Sequence, residues 1–339
     1  MKAFVVPIFI PNVGCPTRCV FCEQRRITSQ SPGIPSPETV SKTLWQAIKS
    51  RKYKGSKHAE VAFYGGTFTR LPIRKMVELL EAVKPFIEEG YFESIRISTR
   101  PDSLATERIE LMKSYRVKTV ELGAQSLDNR VLAAANRGHT AQDTIDGLRK
   151  LRSEGFSVGI QLMPGLPHET KESFQQTVMK TIELRPEFVR LYPTIVIEGT
   201  KLAEMYRSGR YTPLSLENAV DICAEAVSRF EEEGIHVIRI GLMSSPTLLQ
   251  AGQVLAGPWH PSFGELVRAR VYQNKIAQGL PKGLEGRRIH VSVNPKDLSL
   301  LRGHKNRGLR YLEGITGASV VSVDTDVSVE PNEIRVSLV

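Results

Sequence analysis

Cys15-Pro-Thr-Arg-Cys19-Val-Phe-Cys22 brings three of the four cysteines of this 339-residue chain within eight positions. A secreted disulfide framework spreads its cysteines along the chain, so this crowding points to metal or redox chemistry. Three thiolates can bind three irons of a cubane cluster and leave the fourth iron open to a ligand. A structural zinc site takes four ligands, typically in two pairs, and no fourth Cys or His stands nearby. Cys223, the remaining thiol, lies on the apolar face of a helical pattern and is read as core packing. The segment therefore predicts a 4Fe-4S cluster held by Cys15, Cys19 and Cys22.

Such a cluster needs a scaffold that gathers side chains from far apart in sequence. Short β-branched runs at Phe4–Ile10, Glu60–Tyr64, Ser94–Ser98, Val117–Gly123, Phe156–Met163, Phe188–Tyr192 and Ile235–Ile240 alternate with amphipathic stretches. From Leu216 to Glu233, for example, Val220, Cys223, Val227 and Phe230 recur three or four residues apart. Right-handed helical crossovers between parallel strands satisfy that alternation. The pattern predicts an α/β fold, a partial (β/α)6 barrel of about six strands with an extra strand near Ile238 beside it. Ligands gather at the C-terminal ends of such strands. The cysteines, Gly65, Gly66, Arg100, Gln125, Gln161 and Tyr192 all sit at or just after a strand end and should converge there.

The cysteine motif resembles that of the radical S-adenosylmethionine (SAM) superfamily. The resemblance implies that the open iron chelates the amino and carboxylate groups of SAM, and that the reduced cluster cleaves it to a 5′-deoxyadenosyl radical. Phe21 occupies the place of the family's aromatic near the adenine. Phe63-Tyr-Gly-Gly-Thr-Phe68 is similar to the family's Gly-Gly-Glu element, whose backbone carbonyls bind the SAM amino group; glycine suits a backbone that must approach a ligand, and Thr67 stands in place of the acid. Ser98-Thr-Arg-Pro-Asp102, Glu121-Leu-Gly-Ala-Gln-Ser126, Asn136-Arg-Gly-His139 and Met163-Pro-Gly-Leu-Pro167 look like one branch, the Elongator catalytic subunit, with oxygen-independent coproporphyrinogen oxidase as a cousin. That likeness implies SAM contacts from Gln125 to the ribose and Arg137 to the carboxylate, with Arg100 in the same set. Gln161 replaces the cousin's ribose-binding Asp, and Ser98 replaces a Glu of the Elongator branch. Leu191-Tyr-Pro-Thr-Ile-Val-Ile-Glu-Gly-Thr-Lys201 also matches that branch and places Tyr192 at the cavity, where it could donate a hydrogen or proton or simply pack.

The Elongator subunit modifies the wobble uridine of tRNA with the help of an acetyltransferase domain, for which this chain offers no room, and its first two cysteines are more widely spaced. The reaction here is thus expected to be related rather than identical. A second resemblance lies at Val291–Val323, whose apolar spacing and Thr316-Gly-Ala318 ending are similar to a KH nucleic-acid-binding domain. It places Gly303-His304-Lys305-Asn306 at the backbone-clamping loop, flanked by Arg302 and Arg307. Asn306 stands where the second glycine would be, and Asn tolerates positive φ.

Charge points the same way. The chain carries 46 Lys and Arg against 36 Asp and Glu, a net +10 that favours a polyanionic partner without naming one. Arg287, Arg288, Lys296, Arg302, Lys305, Arg307 and Arg310 are opposed only by Asp297 within that stretch, a cluster able to neutralise phosphates. The Lys49–Lys57 loop is also basic, but on the face expected to lie opposite the catalytic mouth. The expected partners are RNA, tRNA above all, as substrate, and an electron donor such as ferredoxin or flavodoxin. No apolar run approaches the ~20 residues of a membrane span, and the N-terminus lacks a signal-peptide pattern, so a cytoplasmic location is expected. Domains are expected at 1–245 (partial barrel), 246–286 (connecting segment with a helix) and 287–339 (small KH-like α+β domain). Two other functions stay open: a small-molecule radical reaction of the coproporphyrinogen oxidase type, and a non-catalytic iron–sulfur nucleic-acid-binding protein.

Overall fold

The structure is a computed structural model that describes residues 4–31, 33–53, 58–280 and 283–339, with His304 described in its main chain only. The Lys49–Lys57 loop lies partly outside the described residues. Two compact units emerge, one formed by residues 1–215 and 230–259, the other by 216–229 and 260–339.

In the first unit, strands β1 (Phe4–Ile10), β2 (Ala59–Gly65), β3 (Ser94–Thr99), β4 (Val117–Gln125), β5 (Ser157–Leu162) and β6 (Phe188–Leu191) pair in sequence order. The short β7 (Val196–Ile197) leaves the sheet, and β8 (His236–Ile240) joins the far side of β6. Every pairing in this seven-stranded sheet is parallel. The fold is therefore the expected α/β partial barrel, six strands wound in order and a seventh flanking them.

The strands are long runs of buried residues because helices cover one face while the curl of the sheet encloses the other. In β4, Lys118 is the one exposed residue of nine. Ile95, Ile97, Val120, Leu122, Val158 and Ile160 are sealed against the helix layer. The opposite face carries Glu60, Arg96, Glu121 and Arg190, each flanked in its strand by two buried apolar residues. β7 pairs with β9 (Val254–Ala256), an antiparallel contact that holds a long loop above the barrel end.

The second unit has its own core. β10 (Arg288–Val293) is the centre of a three-stranded sheet, parallel to β11 (Ser319–Thr325) and antiparallel to β12 (Ile334–Leu338). Between β10 and β11 run two helices, Leu298–Arg302 and Arg307–Thr316. Ile289, Val291, Val293, Leu301, Leu312 and Ala318 close on Tyr272 and Ile276 of the helix Phe263–Gln278. Arg270 of that helix pairs with Glu217 and Asp221 and lies 4.3 Å over the Tyr311 ring, joining the separate segments of this unit. Among the described residues no helix is long and apolar enough to cross a membrane.

Candidate active site

The loop after β1 carries the three cysteines and is fixed by backbone contacts with the loop after β2. Thr67 donates its backbone N–H to the Val13 carbonyl at 2.9 Å, and Cys22 N–H closes a turn onto Cys19 O at 3.1 Å. Gly14 sits at φ +75°, with its α-carbon against the Thr67 carbonyl; a side chain on Gly66 would collide with the Val13 and Ile10 carbonyls. The space left by Gly66 is thus filled by the cysteine loop itself. Gly65, at φ +109°, keeps its carbonyl turned to Gln24, whose side-chain amide donates to it while the Gln24 oxygen accepts from Asn12 N–H.

The three thiols share one loop, and the charges of Cys15 and Cys19 act on Cys22. The Cys22 thiol is pushed up to about 12 by burial and then by the charges of Cys19 and Cys15, with only partial relief from Asn12 and Arg137. Thiols in that state need a cation to ionise together, which bound iron supplies. Among the described residues no three His, Cys, Asp or Glu groups already converge on a single ion. A cubane does not require that, because each cysteine takes a separate iron.

The remaining site residues enter from several strand ends, Gln125 and Arg137 both from that of β4. Thr67 is buried with its hydroxyl 3.4 Å from Cys15 Sγ. Arg137 is 7% exposed; it donates to Cys19 Sγ at 3.0 Å and to the Gly123 carbonyl at 2.5 Å, while its Nε–H is buried with no partner among the described residues. An orphaned guanidinium donor beside a cluster ligand fits a site that receives a carboxylate. Arg100 is committed differently. It grips Asp102 with two bonds of 2.9 and 2.8 Å and reaches Thr17 Oγ1 at 3.1 Å and the Arg137 carbonyl. Its geometry makes it the tie between the cysteine loop and the Arg137 loop. Gln125 ends β4 in the left-handed region at φ +71°, a strained backbone of the kind that collects at functional sites. Phe21 packs on an apolar cluster that includes Val20, Val131 and Leu166. The capping box of Thr140 and Asp143 starts the next helix directly after His139 and so anchors the Asn136–His139 loop.

Below this rim the barrel lumen is polar. Glu121 is fully buried; one carboxylate oxygen accepts from Tyr64 Oη (3.0 Å), Arg96 (2.9 Å) and Arg190 (2.8 Å), and the other from Gln161 Nε2 (2.9 Å). Gln161 also reaches Ser98 Oγ at 3.3 Å. Arg190 donates to Tyr192 Oη at 3.1 Å, which leaves the Tyr192 hydrogen available above it. Deeper down, Arg96 closes on Glu60, and its guanidinium lies 4.9 Å over the Phe188 ring, which itself fills the space that Gly159 leaves free. Two carboxylates and two guanidiniums make this network neutral overall. Ser98, Gln161 and Tyr192, expected as separate contacts, are thus joined through Glu121 and Arg190.

Glu60, Arg96, Glu121, Arg190, Asn12 and Gln24 are the residues that sequence reasoning left unassigned. A signal for the first four existed: each is a charge flanked on both sides by apolar residues within a strand. His139, within a quoted motif but given no role, is buried, with neither ring nitrogen bonded among the described residues.

In the second unit, Gly303–Asn306 joins the two short helices with Gly303, Lys305 and Asn306 all at positive φ. Arg302, Lys305, Arg307 and Arg310 are exposed, and none is paired with a carboxylate among the described residues. The His304 side chain lies outside the described residues.

A parallel half-barrel with three cysteines on its first loop defines a class, and comparison with known families agrees. Residues 9–180 match the model of the Radical SAM superfamily and residues 186–273 that of the Radical SAM C-terminal domain. The chain belongs to the radical SAM superfamily; it is an enzyme, and its cofactors are a 4Fe-4S cluster and SAM. Among individual proteins it is similar to an uncharacterised protein of Methanocaldococcus jannaschii, 30% identical over 236 residues that span 66% of this chain and 71% of the other. A tRNA uridine(34) acetyltransferase of the same organism is 37% identical over 135 residues, 39% of this chain and 25% of that one. The human Elongator complex protein 3 is 32% identical over 282 residues, 75% of this chain and 50% of that one. The chain therefore spans half or less of these two longer relatives. The solved structure of archaeal Methanocaldococcus infernus Elp3 superposes with a TM-score of 0.62 at 23% identity, over 82% of this chain and 64% of that one, a likeness of fold.

Proposed function

We propose that this enzyme holds its cluster on Cys15, Cys19 and Cys22 and directs radical chemistry at a base of RNA, most naturally tRNA. The observation that carries the reading is the convergence of the cysteine loop, Thr67, Gln125 and Arg137 on one barrel end, over a floor formed by Ser98, Gln161, Arg190 and Tyr192. Bound at that end, the reduced cluster and SAM supply a 5′-deoxyadenosyl radical able to abstract hydrogen from an unactivated carbon.

The chain's own residues then have distinct work. Arg137 offers its buried Nε–H to the SAM carboxylate, and Gln125 and Gln161 offer amide groups to the ribose. Phe21 and the Gly65–Gly66 backbone border the adenine and amino ends. Arg100 holds the loop that carries Arg137. Tyr192, its oxygen already accepting from Arg190, presents its hydrogen to the substrate as donor.

RNA as substrate is supported by the name of the tRNA-modifying relative and by the exposed cations Arg302, Lys305, Arg307 and Arg310. A KH-like reading of the second unit is supported by the strand–helix–helix–strand order, with Gly303–Asn306 between the helices and β10 beside β11. In such modules the helix–loop–helix clamps backbone nucleotides. The test is to incubate anaerobically reconstituted, reduced protein with SAM, with and without bulk tRNA, and to quantify 5′-deoxyadenosine. Stimulation by tRNA is the expected result. Turnover indifferent to tRNA but raised by a tetrapyrrole would transfer the assignment to the small-molecule reaction.

A further inference from the structure

We propose that Asn12, Thr67 and Arg137 each donate one hydrogen bond to one cluster thiolate, and that together they set the reduction potential of the iron–sulfur cluster. The inference rests on the assignment of Cys15, Cys19 and Cys22 as ligands and adds three residues to it.

The geometry is one donor to one sulfur. Asn12 Nδ2 lies 3.5 Å from Cys22 Sγ, Thr67 Oγ1 3.4 Å from Cys15 Sγ, and Arg137 Nη1 3.0 Å from Cys19 Sγ. The three donors come from three different segments: the turn after β1, the loop after β2 and the loop that follows the helix Asn129–Ala134. Each is fixed by further contacts. Asn12 occupies the left-handed region at φ +57°, and its backbone N–H is held by Gln24, which also grips the Gly65 carbonyl. Thr67 is 1% exposed and bonded through its backbone to Val13. Arg137 is locked by the Gly123 carbonyl.

Iron-bound cysteine carries no proton, so in each pair the side chain must be the donor. One-electron reduction of the cluster by an external low-potential donor adds one negative charge, and that charge spreads onto the cysteine sulfurs. Hydrogen bonds to the sulfurs, like the nearby guanidinium charge, stabilise the reduced state more than the oxidised one and raise the potential. Low solvent exposure at Cys19, 8%, keeps water from levelling the effect. Thr67 thereby has a role of its own: its hydroxyl, donated to Cys15 Sγ, favours the added electron.

Arg137 also faces the SAM carboxylate in the reading above, so the decisive variants are at the other two positions. Thr67→Val removes the hydroxyl with little change of shape, and Asn12→Gly removes the amide while keeping the left-handed backbone free of strain. The measurement is the midpoint potential of the reconstituted cluster in the absence of SAM, from a dithionite titration followed by electron paramagnetic resonance. Resonance Raman spectra of the iron–sulfur stretches in H2O and D2O accompany it. Both variants should have a more negative potential and a smaller solvent-isotope shift than wild type, and Thr67→Ser should restore the wild-type values. Iron-loaded Thr67→Val and Asn12→Gly proteins with the wild-type potential would overturn the proposal while leaving the ligand assignment intact. A wild-type protein that takes up no iron on these cysteines would overturn both.

Discussion

His139 and Glu121 show how single residues hold this site under opposite conditions. His139 is 7% exposed, and burial, then the charges of Arg137 and Arg100, push its imidazole down to about 4. In the unfolded chain it would take up a proton near 6.5, so between those values the unfolded state binds more protons and folding weakens as pH falls. The depression corresponds to about 3 kcal/mol, present above pH 6.5 and lost on the way to pH 4. Replacing His139 with Gln should flatten the thermal-stability profile across that window. An unaltered slope would show that other groups govern it. Glu121 is instead the shared acceptor of the buried Arg96 and the partly buried Arg190, and stripping one partner from a buried ion network leaves an uncompensated charge. Glu121→Ala is expected to cost about 3 to 5 kcal/mol in urea denaturation and Glu121→Gln less, since the amide still accepts hydrogen bonds.

At the scale of elements, the first two βα loops are interlocked by glycine. Gly14 lies against the Thr67 carbonyl and Gly66 against the Val13 carbonyl, so a methyl group at either position forces the loops apart. Gly66→Ala should therefore fold its barrel yet bind substoichiometric iron, read as a lowered iron-to-protein ratio with a far-ultraviolet circular dichroism spectrum like the wild type. Full iron loading would contradict the interlock. The seven sheet strands were legible because each is a β-branched run between helical repeats; β5, for example, was expected at Phe156–Met163 and spans Ser157–Leu162. The β7–β9 pair was not, since strands of two and three residues leave no periodic trace. The site divides in the same way. Cysteine spacing and strand-end motifs are local signals, so Cys15, Gln125 and Arg137 could be singled out from sequence. The lumen network could not be assembled, because Glu60, Arg96, Glu121 and Arg190 acquire partners only when four strands are laid side by side. Arg100 shows the limit from the other side: its motif was visible, but its commitment to Asp102, Thr17 and the Arg137 carbonyl was not.

On the scale of the whole molecule, the lumen network of the first unit is neutral, whereas Arg302, Lys305, Arg307 and Arg310 of the second form an exposed basic cluster. The exposed Arg302, Lys305 and Arg307 should attract phosphate through counterion release, which makes affinity salt-dependent. Replacing all three with Ala should weaken tRNA binding and lower the slope of log affinity against log salt by roughly 2. An unchanged slope would remove this face from the interaction. Radical chemistry at the three clustered cysteines underlies every role assigned to the barrel residues. Its most direct test is to reconstitute wild-type, Cys19→Ala and Cys223→Ala proteins under anaerobic conditions, then measure bound iron and the 5′-deoxyadenosine formed from SAM after reduction. Wild type and Cys223→Ala should hold about four irons per chain and cleave SAM, and Cys19→Ala should do neither. Cleavage that survives in Cys19→Ala, or that disappears in Cys223→Ala with the fold intact, would contradict it.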